Sequence, residues 1–386
     1  MVTIPPLSQN RSDLPEQYTH LEPTWSPNST VATDWTLHQI APYIGRMKTS
    51  MARSLVLEWT QPGDLVIDPF CGSGVVALEA AANGRKVVAG DWNPYAVLLS
   101  RAKLYPPANL PTAERRLNKA WELSRKKVDQ QDLRKVPLWV RRFFHPETLR
   151  SALSFRDACI ELKDDFLLAC LLGILHHQRP GFLSYPSSHL VPYLRDRKFP
   201  KEEFPEMYEE RDVRVRLEKK IRRTFRRMPN PYSESRKVFH INARNFPRYR
   251  RIKAIITSPP YMNELDYVRD NRLRLWFIGR SLPEGLEMPS RNSSQAYAEL
   301  LKAVCTRLSS GIEREGLFIL VVGDSTRGGS NGHTIDITRD LFKTEVTLRA
   351  FELDYVYCDI IPDIRRSRRE CCGTKAETVL VYRKRQ

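Results

Sequence analysis

The stretch Leu65-Val66-Ile67-Asp68-Pro69-Phe70-Cys71-Gly72-Ser73-Gly74 decides the fold. An apolar run meets a carboxylate, a proline and a glycine-rich turn, and Val75 to Ala82 then reads as a helix of small residues. Gly84 closes that helix, and Lys86-Val87-Val88-Ala89-Gly90 forms a second strand that ends at Asp91-Trp92-Asn93-Pro94. Strand, turn, helix and strand make a βαβ unit. Its loop aims backbone N–H groups and a positive helix end at a ligand.

Upstream, Met47, Met51, Leu55 and Trp59 recur every fourth residue, which predicts a helix over 37–59. Downstream, strands are expected at Val238–Ile241, Ala254–Ile256, Leu317–Val322, Tyr355–Ile361 and Thr378–Tyr382, with helices at Asp270–Ile278 and Tyr297–Leu308 between them. The expected fold class is α/β, a doubly wound, mostly parallel sheet of seven strands with helices on both faces. Residues 106–235 break the alternation and read as a helical, basic insertion. Residues 1–30, rich in Pro, Ser and Asn, read as an N-terminal arm. The sheet domain is thus split into 31–105 and 236–386.

A net charge of +17, from 62 Lys and Arg against 45 Asp and Glu, makes a polyanion the expected partner, nucleic acid ahead of a membrane surface. The longest apolar run, near Phe166 to Leu175, is too short to span a bilayer. Nothing at the N-terminus resembles a secretory signal, so the expected location is cytoplasmic. The seven cysteines lack paired metal-ligand spacing, and neither a disulfide framework nor structural zinc is expected. His176, His177 and Cys170 have no further ligand pattern around them, so no metal is assigned.

Gly72-x-Gly74-x-x-Ala77 fits a dinucleotide fingerprint, with Asp91 downstream for ribose hydroxyls. Asp68 argues for a different adenosine cofactor. A carboxylate there repels a pyrophosphate but pairs with the amino group of a methionine moiety, so S-adenosylmethionine fits better than NAD. The cofactor-site candidates are Asp68, Pro69, Phe70, Cys71, Gly72, Gly74, Asp91 and Trp92. Asp91 reads either as a ribose ligand or as a helix N-cap before Pro94, and Trp92 as an adenine contact or a surface aromatic. Cys71 reads as a small loop residue rather than a nucleophile.

The second informative stretch is Ile255-Ile256-Thr257-Ser258-Pro259-Pro260-Tyr261. Two prolines end a buried strand abruptly and hold one side chain, one carbonyl and one ring at the sheet edge. A tight turn with a packed aromatic is the alternative reading of Ser258 and Tyr261.

With Asp68–Gly74, Asp91 and Ser258–Tyr261 in view, the chain resembles the S-adenosylmethionine-dependent amino-methyltransferases of DNA that act on cytosine N4 or adenine N6. The family's tetrad of Asp, Asn or Ser, Pro-Pro and an aromatic stands here as Ser258-Pro259-Pro260-Tyr261, and its serine form is more typical of the N4-cytosine branch. The resemblance extends over 262–269, 322–325 and the final strand. It implies a Rossmann-like methyltransferase fold and a catalytic role for all four tetrad residues. The order of motifs puts the candidate target-recognition region inside 106–235. Where the family often has an acid for the adenine amino group, this chain has Asn242, whose amide oxygen can also accept that bond.

An exocyclic amine is a poor nucleophile because its lone pair is delocalised into the ring. Hydrogen bonds accepted by the Ser258 hydroxyl and the Pro259 carbonyl favour a pyramidal nitrogen, and methyl transfer is then direct, with no covalent enzyme intermediate. The target base must leave the duplex, and Tyr261 would stack on it. Arg211 to Arg227 holds nine Lys or Arg and two acids, with Val213, Leu217, Ile221 and Phe225 on one face. Arg214, Lys219, Arg222, Arg223 and Arg226 on that helix, with Arg269, Arg365 and Arg366, are the candidate phosphate contacts. The expected function is a site-specific cytosine-N4 methyltransferase acting on DNA, possibly paired with a restriction endonuclease of the same specificity. Adenine N6, an RNA base, and a DNA-binding protein with a vestigial methyltransferase fold are the alternatives.

Overall fold

The computed structural model describes residues 19–21, 25, 34–177, 181–184, 199–230, 232, 234–260, 271–279, 294–323, 334–360 and 376–385. Within them one sheet is built from β1 (Thr19–Leu21), β2 (Leu65–Asp68), β3 (Lys86–Asp91), β4 (Arg236–His240), β5 (Ile252–Thr257), β6 (Ile312–Gly323), β7 (Phe351–Ile360) and β8 (Ala376–Lys384). The helices are α1 (Thr49–Trp59), α2 (Val75–Ala82), α3 (Pro94–Leu104), α4 (Leu110–Arg125), α5 (Leu138–Arg141), α6 (Pro146–Glu161), α7 (Asp165–Leu172), α8 (Val213–Thr224), α9 (Arg272–Ile278), α10 (Ser294–Ser309) and α11 (Thr334–Thr344).

The strand order is β1-β7-β8-β6-β5-β2-β3-β4, and every pairing is parallel except those of β8 with β6 and β7. From β2 the chain winds outward through β3 to β4, then returns to the other side of β2 with β5 and winds outward through β6. The reversal leaves a crevice at the carboxyl ends of β2 and β5, the place where open α/β sheets bind ligands. This is the doubly wound, mostly parallel, Rossmann-like arrangement of methyltransferases.

Alternation along the central strands buries both faces. Val66, Ala254, Ile256, Ile319 and Val321 face α1 and α2, whereas Ile67, Ile255, Phe318, Leu320 and Val322 face α10 and α11. A third core joins Tyr95, Leu98 and Leu99 of α3 to the helices of the insertion and to Leu273, Leu275 and Phe277 of α9. The insertion is therefore packed on the back of α3.

Two expectations need correction. The stretch read as an arm contributes the short edge strand β1, parallel to β7, and the core residue Trp25, which is 2% exposed. The sheet accordingly has eight strands rather than seven. The helix expected over 37–59 is broken into a 3-10 turn at Thr36–Gln39 and α1. Pro42 and Gly45, the latter at φ +73°, occupy the gap. A left-handed glycine cannot continue a helix, and the broken segment becomes a wall of the crevice.

Candidate active site

A pocket of about 190 Å³ lies at the carboxyl ends of β2, β3, β4 and β5. Its floor is the turn between β2 and α2. Cys71 N donates to Gly90 O at 3.0 Å and Gly74 N to Cys71 O at 2.7 Å, so the turn is tied to β3 and to itself. Gly74, at φ +70°, caps α2, and a Cβ there would lie 2.6 Å from Ser100 Oγ of α3. Gly72, at φ +47°, lies under the Tyr43 ring. Behind the turn, the buried Lys103 donates from Nζ to the Ser73 carbonyl oxygen. Burial pushes that ammonium down to about 7.

Two carboxylates stand at the pocket. Asp91 accepts from Gly72 N at Oδ2 and from Asn93 N at Oδ1, both at 2.8 Å. Burial pushes it up to about 6, while these N–H groups favour its charged form. It is not the N-cap of α3: Asn93 Oδ1 fills that role by accepting from Tyr95 N at 2.9 Å. Asp68 is 3% exposed and accepts from Thr257 Oγ1 at 2.6 Å. Burial pushes Asp68 up to about 7 against the hydrogen bonds from Thr257 and Phe70 N, and the nearby Asp91 charge adds to the rise.

Trp92 stacks on His240 with ring centroids 5.5 Å apart, and its carbonyl accepts from His240 Nε2 at 3.0 Å. Asn242 lines the pocket while its Oδ1 accepts from Arg244 N at 3.0 Å. Pro69, Phe70, Cys71, Gly72, Ser258 and Pro260 also line it. Cys71 Sγ sits 3.3 Å from Ser100 Oγ, and burial pushes its thiol far up, which leaves it no thiolate for nucleophilic work. Pro259 lies between two lining residues; Tyr261 lies outside the described residues.

Three buried polar atoms of lining residues have no hydrogen-bond partner: Ser73 Oγ, Trp92 Nε1 and Asn93 Nδ2. Such orphans are rare and imply a polar occupant. Ser73 and Asn93 escaped the sequence reading, as did Tyr43, Arg46 and Met47 of the broken segment and Ala296 and Leu300 of α10. Arg46 is held by donating from Nη1 to His38 O at 2.6 Å. The signal for that wall was present in Pro42 and Gly45, which interrupt the four-residue periodicity.

The candidate phosphate contacts on α8 are partly engaged within the protein. Arg214 pairs with Glu218 and donates to Asn118 Oδ1, Arg222 pairs with Glu114, and Arg223 donates to Gln39 Oε1. Lys219 and Arg226 are exposed. Arg269, Arg365 and Arg366 lie outside the described residues. Among the described residues no cluster of three His, Cys, Asp or Glu could hold a metal, and no helix is long and apolar enough to cross a membrane.

A family model for N6 and N4 methyltransferases, described as "DNA methylase", matches residues 8–101. That match spans β1 to α3 and supports a methyltransferase of amino groups. Comparison with curated proteins gave no match. Among solved structures the chain is similar to TrmN from Thermus thermophilus, at 13% identity and TM-score 0.33, over 90% of this chain and 52% of that one. It thus spans about half the length of that protein. It is also similar to an rRNA methylase from Streptococcus thermophilus, at 10% identity and TM-score 0.33, over 88% of this chain and 98% of that one. A third is the glycopeptide N-methyltransferase MtfA complexed with sinefungin, at 11% identity and TM-score 0.33, over 94% of this chain and 100% of that one. The strand order, rather than these overlaps, establishes the fold.

Proposed function

We propose that this chain is an S-adenosylmethionine-dependent DNA methyltransferase that modifies the exocyclic N4 amine of a flipped-out cytosine. The observation that carries the proposal is the meeting of two motifs far apart in sequence. Asp68, from the glycine-turn motif, and Ser258, from the proline tetrad, line one pocket, and the Thr257–Asp68 hydrogen bond ties their strands together. A dehydrogenase reading gives the tetrad no work.

The pocket suits the cofactor in the chemistry of its donors. Asp68 pairs with the amino group of the methionine moiety and Arg46 with its carboxylate. Asp91 keeps a free lone pair on each oxygen for the ribose hydroxyls, because one on each is already used by a backbone N–H. Trp92, Asn242 and the orphaned Asn93 amide line the same pocket and serve the adenine side. When bound, S-adenosylmethionine supplies an electrophilic methyl group.

The remaining work belongs to the tetrad. The Ser258 hydroxyl and the Pro259 carbonyl accept hydrogen bonds from the target amine and localise its lone pair. The nitrogen loses its proton after it has become positive, so no strong base is needed, and the inert Cys71 thiol is consistent with direct transfer. The two prolines fix the direction of the Ser258 side chain, and Tyr261 stacks on the extruded base. Arg269, Arg365 and Arg366, with the exposed cations of α8, contact phosphates. A restriction endonuclease acting on the same site is the expected partner.

The test is nucleoside mass spectrometry on DNA and RNA from cells that express the protein. N4-methylcytosine in DNA supports the proposal, N6-methyladenine or a methylated RNA base redirects it, and the absence of any new methylated base overturns it.

A further inference from the structure

The insertion and α9 carry a surface of aromatic rings and arginines that the pocket does not use. Trp139 of α5 and Trp276 of α9 form an edge-to-face pair, with centroids 6.5 Å apart and planes at 76°. The Arg272 guanidinium lies 4.4 Å over the Trp139 ring, and Arg156 lies 5.8 Å over Trp276. Both indoles are only partly buried, Arg141 and Arg272 are exposed, and Leu138 is 53% exposed. Neither Arg141 nor Arg272 makes an ion pair among the described residues. The cations of α8, by contrast, are largely matched by Glu114, Glu218, Asn118 and Gln39.

Uncompensated guanidinium groups beside open aromatic faces complement a partner that is both anionic and flat. A nucleic-acid strand has this chemistry, since its phosphates meet arginine while its bases stack on indole and guanidinium planes. The chain's net charge of +17 points the same way.

The surface is also close to the pocket. Arg274, on the same short helix as Arg272 and Trp276, lies near enough to Tyr95 for its charge to favour the phenolate. Tyr95 in turn donates to Pro42 O at 2.6 Å and packs against the pocket residue Tyr43, with ring centroids 5.8 Å apart. In sequence, α9 follows the tetrad after a short interval.

We infer that Arg141, Arg272, Trp139 and Trp276 hold the DNA strand that flanks the target base, so that the recognition surface centres on α5 and α9 rather than on α8. The inference rests on the proposed function and identifies where its substrate docks.

The test is fluorescence anisotropy of the full-length protein with labelled mixed-sequence DNA, single-stranded and duplex, at low and physiological salt. Calorimetric binding of S-adenosylmethionine runs in parallel. Arg272→Gln changes an exposed side chain and is expected to weaken DNA binding roughly tenfold, with a shallower salt dependence. Arg141→Gln is expected to act in the same direction, and neither changes cofactor affinity. Lys219→Gln is expected to have the smaller effect. Wild-type DNA affinity in both arginine variants overturns the assignment while leaving the methyltransferase reading intact. Altered oligomeric state with unchanged DNA affinity also overturns it, as does binding of RNA alone. A wild-type protein that binds cofactor but neither binds nor methylates DNA overturns the functional reading instead.

Discussion

Thr257 Oγ1 donates a 2.6 Å hydrogen bond to Asp68 Oδ1, joining the last residue of β5 to the last residue of β2. This bond favours the charged carboxylate, whereas burial favours the neutral one. Removing it in Thr257→Val raises the Asp68 pKa further. Because an ionised Asp68 is what pairs with a cationic amine, cofactor affinity should fall off at higher pH in the variant than in the wild type. Calorimetric titration with S-adenosylmethionine between about pH 6 and 9 checks this. Identical profiles would separate Asp68 from cofactor binding.

Asp68 itself trades stability for function. Its folded pKa of about 7 lies above its ordinary value of 3.8, so the carboxylate imposes no penalty at acid pH. The penalty grows as pH rises towards the folded pKa and is full above it. Asp68→Asn should therefore stabilise the ligand-free protein at pH 8 by roughly 2–4 kcal/mol. The gain should shrink as pH falls towards about 4, and cofactor binding should be lost throughout. Denaturant unfolding at the two pH extremes reads the difference, and destabilisation at pH 8 would contradict it.

Gly74 meets two demands at once, a left-handed backbone and contact with α3. In Gly74→Ala the new Cβ would sit 2.6 Å from Ser100 Oγ and 3.0 Å from Ser100 Cα. The left-handed conformation alone costs roughly 1–2 kcal/mol in an alanine, and the clash adds to it because Ser100 Cα is backbone. Thermal unfolding should show a loss of several degrees. Gly74→Ala combined with Ser100→Gly relieves only the clash and should recover only part of that loss.

Ser258→Ala removes one acceptor for the target amine without touching the cofactor carboxylates. Turnover should fall on the order of 100-fold with S-adenosylmethionine affinity unchanged. Rapid-quench kinetics with calorimetry separates the two quantities. An equal loss in both would make Ser258 a structural residue of the turn.

The fold was legible where local patterns persisted. Leu65–Asp68 and Lys86–Asp91 alternate with a small-residue helix and admit one reading, and the observed strands have those limits. Thr19–Leu21 was not legible, because a three-residue edge strand has no periodicity of its own and forms only through pairing with Tyr355–Tyr357. In the site, Asp68, Asp91 and Ser258 announced themselves through abrupt strand ends. Tyr43, Arg46, Ala296 and Leu300 did not, since they reach the pocket through tertiary packing of segments whose sequence reads as ordinary helix. The engagement of α8 with Glu114 and Gln39 was equally hidden, because those partners lie about a hundred and more positions away in the chain.

The most direct test of the account is incubation of the purified protein with isotopically labelled S-adenosylmethionine and duplex DNA, followed by hydrolysis and nucleoside mass spectrometry. Label in N4-methylcytosine, abolished by Asp68→Asn and strongly reduced by Ser258→Ala, is the predicted result. Saturable cofactor binding with no label in any DNA base would contradict it.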